Sequence, residues 1–78
     1  MRAPPGRFFV GAMKLIVNGN AHEHWGDGAP QALLAELGVA AERVALVVNE
    51  RVVPRREWED LRLKPGDRVE MLTFMGGG

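Results

Sequence analysis

The 78-residue sequence predicts an α+β domain in which one helix packs on a mixed sheet of four to five strands. Three observations predict it. Short runs in which apolar and polar residues alternate are separated by turn residues, the signature of half-buried strands. One stretch, PQALLAELG at 30–38, instead carries an apolar stripe at helical spacing. With 46% hydrophobic and 26% charged residues, the chain has the balance of an ordinary globule. A chain this short buries only about 60% of the surface its unfolded form exposes, so it holds one thin core.

The elements follow in order. KLIVNGNAHEHW (14–25) reads as a strand, a tight turn at Asn18-Gly19 and a second strand, because both turn residues tolerate positive φ. In the helix, Pro30 suits the first position, and Leu33, Leu34 and Leu37 share a face. Gly38 can close it in a left-handed conformation. RVALVVNERVVPRREW (43–58) gives a strand from Val44 to Val48, a turn at Asn49-Glu50 and a strand from Arg51 to Val53. Pro54 lacks a ladder donor, so that second strand should be short or at an edge. REWEDL supplies one helical turn and LKPGD a tight turn. RVEMLTFM (68–75) is the last strand.

The order β-β-α-β-β-β is that of the ubiquitin-like β-grasp. The expected core is Leu15, Val17, Leu33, Leu37, Val44, Leu46, Val48, Leu61, Val69 and Met71. The domain is expected to run from 13 to 75, followed by a flexible glycine tail at 76–78. MRAPPGRFFVGA (1–12) holds two of the five prolines and reads as a disordered, dispensable extension. A chain starting at Met13 should then melt at nearly the same temperature, unless Phe8 to Val10 pack on the domain.

Composition excludes several function classes. Ten basic and ten acidic side chains give no electrostatic case for nucleic acid. No apolar run approaches the roughly 20 residues that span a bilayer, so no membrane role is expected. The chain has no cysteine, which rules out a disulfide framework and a thiolate metal site and fits a cytoplasmic protein.

Alternation along the last strand puts Val69 and Met71 on the face that meets the helix. Arg68, Glu70, Leu72 and Phe74 then face away. An apolar pair left toward solvent beside a glycine tail suggests a docking surface, with Leu72, Phe74, Met75, Arg55 and Trp58 as its candidates. Gly76, Gly77 and Gly78 have a specific chemical use at that place. A terminal carboxylate can attack the α-phosphorus of ATP and become an acyl-adenylate, which a sulfur nucleophile converts to a thiocarboxylate. Entering a partner's nucleotide site needs an extended tail without Cβ atoms, which only glycine supplies. His22 and His24 share a strand face, but no third ligand is apparent, so no metal is expected. No Ser/His/Asp set, phosphate loop or carboxylate pair for intrinsic catalysis is present.

Residues 13 to 78 resemble the sulfur carrier proteins of thiamin biosynthesis, the ThiS family. The resemblance rests on MKLIVNGN, on NERVVPRREW (49–58) with its Asn, Val-Pro-Arg and Trp, and on GDRVEMLTFMGGG (66–78). It implies a carrier and not an enzyme, with no cofactor of its own. Its Gly78 carboxylate would be adenylated by a ubiquitin-activating-like enzyme of the ThiF type. Sulfur would come from a cysteine desulfurase and pass to a thiazole synthase of the ThiG type. Two other readings stay open at this point: a sulfur carrier for another pathway, such as molybdopterin, and a β-grasp interaction module that is never thiolated.

Overall fold

The computed structural model describes residues 12–73. The elements are β1 (Met13–Val17), β2 (Asn20–His24), α1 (Pro30–Leu37), a 3₁₀ turn (Ala41–Arg43), β3 (Val44–Val48), β4 (Arg51–Val53), a 3₁₀ segment (Arg55–Asp60) and β5 (Arg68–Thr73). The five strands form one sheet in the order β2-β1-β5-β3-β4. β1 and β5 run parallel, and the other pairs are antiparallel. The last strand in sequence therefore lies in the middle of the sheet. This is the expected β-grasp, with a short edge strand before Pro54.

Two asparagine turns fix the place of β5. At the β1–β2 turn Asn18 has φ 49° and Gly19 has φ 85°, the left-handed pair that a two-residue hairpin needs. The β3–β4 turn repeats this with Asn49 at 51° and Glu50 at 71°. Asn18 donates its N–H to Val69 O at 2.8 Å, and its Oδ1 accepts the Met71 N–H at 2.8 Å. On the other flank the Asn49 N–H donates to Arg68 O at 2.7 Å, and Asn49 Oδ1 accepts the Arg68 N–H at 2.9 Å. Backbone groups of β5 are thus satisfied by the two turn asparagines, the carbonyls of Val69 and Arg68 by their backbone N–H groups and the amides of Met71 and Arg68 by their side chains.

Pro30 opens α1, and the Asp27 carboxylate accepts the Ala29 N–H just before it. Gly38, at φ 72°, ends the helix. Its N–H bonds Ala35 O while the Val39 N–H bonds Leu34 O, the paired bonds of a Schellman closure.

The core gathers Leu15, Val17, Val44, Leu46, Val48, Val69 and Met71 from one face of the sheet, against Leu33 and Leu34 of α1. Trp58 and Leu63 close its end. Two expectations are corrected. Leu37, the last helical residue, and Leu61, at the exit of the 3₁₀ segment, only pack against the core's rim. Leu34, Trp58 and Leu63 occupy the interior that they were expected to fill.

Candidate functional site

β5 alternates as its sequence requires. Val69 and Met71 are buried, while Leu72 is 56% exposed on the opposite face. Register places Ala45 of β3 beside Leu72, and Val47 between Glu70 and Val52 of β4. Val52 is 71% exposed, and Ala45 and Val47 are half-buried. The outer face of β3, β4 and β5 thus carries Val52, Val47, Ala45 and Leu72 as an apolar strip, with Glu70 beside it. Of the expected docking residues, Leu72 lies on this strip. Phe74 and Met75 lie outside the described residues, as do Gly76, Gly77 and Gly78.

Arg55 and Trp58 sit elsewhere. Trp58 was expected as a docking residue and is instead 3% exposed, so its ring belongs to the core. Its Nε1 donates to Val53 O at 3.0 Å, which satisfies the indole's only polar atom. The Arg55 guanidinium stands 5.4 Å from the ring centroid, a cation–π distance, and stays exposed. The Val-Pro-Arg…Trp pattern therefore has a structural use: it ends an edge strand and folds the next segment onto the core.

His22 and His24 turn to a carboxylate. His22 Nε2 and His24 Nδ1 each lie 2.9 Å from Glu36 Oε1, and the Trp25 N–H donates to Glu36 Oε2 at 2.7 Å. Burial pushes the Glu36 carboxyl up, but these three hydrogen bonds outweigh it and hold the group below the usual carboxylate range. His24 is fully buried, and its Nε2 accepts the Gly28 N–H at 3.0 Å. An N–H can only donate, so the hydrogen of this ring sits on Nδ1. Among the described residues no group of three His, Cys, Asp or Glu side chains could hold a metal.

A half-open groove of about 600 Å³ runs beside Arg51, Val53, Glu57, Leu61 and Lys64. It also touches Asn49 and Asp67, at the start of β5. Its rim mixes both charges, and it lies away from the strand end that leads to the glycines.

Outer strip, central last strand and Gly-Gly-Gly sequence agree with one family. The ThiS family model matches residues 15–78. The chain belongs to the ThiS family. The crystal structure of the thiamine biosynthesis protein ThiS from Geobacter metallireducens matches it with a TM-score of 0.65 at 42% identity, over 85% of this chain and 100% of that one. The sulfur carrier protein ThiS of Escherichia coli is 26% identical over 66 residues, which is 85% of this chain and 100% of that protein. A thiazole synthase of Paramagnetospirillum magneticum is 36% identical over 66 residues, 85% of this chain but 20% of the synthase. The chain thus spans about a fifth of the length of the curated thiazole synthases it matches. Among the described residues no helix is long and apolar enough to cross a membrane.

Proposed function

We propose that this ThiS-family chain carries sulfur as a thiocarboxylate on Gly78 and delivers it for the thiazole ring of thiamin. The observation that carries the reading is the family match, which runs through the last strand to the final glycine. A carboxylate oxygen of Gly78 attacks the α-phosphorus of ATP, and pyrophosphate leaves. The terminal sulfur of a cysteine persulfide then attacks the acyl carbon, and AMP leaves. A thiol cleaves the resulting S–S bond and takes up the donor sulfur in a disulfide, which leaves the thiocarboxylate on the chain.

Each step needs a partner. A ubiquitin-activating-like enzyme of the ThiF type supplies the nucleotide site, and a cysteine desulfurase the persulfide. A thiazole synthase of the ThiG type consumes the sulfur, a pairing supported by the chain's likeness to part of thiazole synthases. The chain itself contributes no catalytic side chain; it is a carrier that works where ATP and thiols are found, in the cytoplasm. The outer strip around Leu72 is the surface offered to the activating enzyme, with Phe74 and Met75 next to it in sequence; Arg55, set apart over the Trp58 ring, is a separate candidate contact.

Adenylation is the step to test first. Incubation with the ThiF-type enzyme, ATP and labelled pyrophosphate should return label to ATP with the parent chain and not with a chain lacking Gly78. Leu72→Asp should weaken the exchange by raising the carrier concentration needed, with the melting temperature unchanged. Equal exchange by the shortened chain would refute the assignment of the reacting carboxylate.

A further inference from the structure

Trp25 is 67% exposed, yet the loop that presents it is tightly built. Its backbone N–H is held by Glu36 Oε2. At Gly26 an added Cβ would lie 2.7 Å from His24 Cε1 and 3.1 Å from Ala32 Cβ. At Gly28, φ 93°, it would lie 2.8 Å from Leu63 O, and the Gly28 carbonyl accepts the Leu63 N–H at 2.8 Å. A bare indole on so rigid a support is the arrangement of a contact anchor, since its ordering costs little when something covers it.

We infer that the segment Phe8-Phe9-Val10 of this same chain covers Trp25. Position carries the argument. Met13 and His24 form the last pair of the β1–β2 ladder, and Ala12 and Trp25 are the residues just beyond that pair. At about 3.3–3.6 Å per residue, Val10 lies within roughly 7 Å of Ala12 and Phe8 within roughly 14 Å. The apolar run Phe8-Phe9-Val10 is therefore close enough in sequence to span to the indole. Chemistry matches as well. FFV is apolar in a stretch otherwise made of Pro, Gly, Ala, Met and two arginines, with no acid. The surface beside Trp25 offers the exposed acids Glu23 and Asp27 to Arg7, although Lys14 stands opposite Glu23. Composition alone reads residues 1–12 as separable, whereas the exposed indole gives their apolar residues a partner. The contact is independent of sulfur chemistry at the other end of the sheet.

The test uses the full chain. Trp58 is buried, so acrylamide quenching reports chiefly on Trp25. Replacing Phe8, Phe9 and Val10 together by serine is expected to raise the quenching constant roughly twofold, as a half-covered indole becomes bare. In a Trp25→Ala background the same triple replacement should leave the melting temperature unchanged, while with Trp25 present it lowers it. In that background Trp58 is the remaining indole, and its emission verifies that the triple replacement leaves the core folded. Equal quenching of parent and triple variant overturns the proposal. So does protection of Trp25 that grows with protein concentration, which would mean that a second copy covers the indole.

Discussion

At the scale of single residues, the buried contacts set the costs. Leu33 is fully buried between α1 and the sheet, so Leu33→Ala should cost about 2–5 kcal/mol in urea unfolding, a large share for so small a domain. Gly26→Ala should also destabilise, because its methyl would meet the His24 ring, which is itself enclosed. Glu36 gives a pH signature. Its folded carboxyl lies below the unfolded value, so it favours the fold at neutral pH and loses that contribution as pH falls through the folded value. Stability measured from pH 7 into the acid range should therefore fall less steeply in Glu36→Gln, and an unchanged slope would show that the three hydrogen bonds do not act together. The burial of His24 was legible in principle. A two-residue turn at Asn18-Gly19 pairs Leu15 with His22 and Met13 with His24, so both histidines share the inward face of Leu15. Residue type masked that parity, since histidine alternating with Ala and Glu does not look like a core strand. Trp58 was expected at a docking surface, and only the fold shows Val53 O waiting for its indole N–H.

At the scale of elements, the turns are where sequence and structure agree best. Asn-Gly and Asn-Glu both sit at positive φ, and alternation in Val44–Val48 and Arg68–Thr73 gave the correct inward faces. The sequence offered no sign that both asparagines also bond β5, because those contacts join residues far apart in the chain. Asn18→Ala should cost about 1–3 kcal/mol by leaving the Met71 amide without its acceptor. Glu50 is the one turn residue that is neither Asn nor Gly. Glu50→Gly should stabilise by up to about 1.5 kcal/mol, the roughly 1–2 kcal/mol of left-handed strain less the roughly 0.5–1 kcal/mol of glycine's entropy. Its ion pair with Arg68, at 3.4 Å between exposed side chains, offsets little of that gain. A lower denaturation midpoint in Glu50→Gly would show that the carboxylate matters more than the backbone.

At the scale of the whole molecule, the fold class and the order of elements were legible because each element carries its own local signal, from the Pro30-to-Gly38 helix to the Val69/Met71 strand. The position of β5 in the middle of the sheet was not, since strand order depends on long-range pairing. That position bears on the proposed carrier role: the strand that leads in sequence to the glycines is held on both flanks, by β1 and β3. The tail's chemistry was written in residue type alone, as three glycines without a thiol in the chain. The measurement that tests this account most directly is intact-protein mass spectrometry after incubation with the ThiF-type enzyme, ATP and a persulfide donor. The parent chain should gain the mass of one oxygen-to-sulfur exchange and take up a thiol-reactive alkylating tag, while the chain lacking Gly78 should do neither. If the shortened chain is labelled as well as the parent, the sulfur does not reside on the Gly78 carboxylate and the carrier account is wrong.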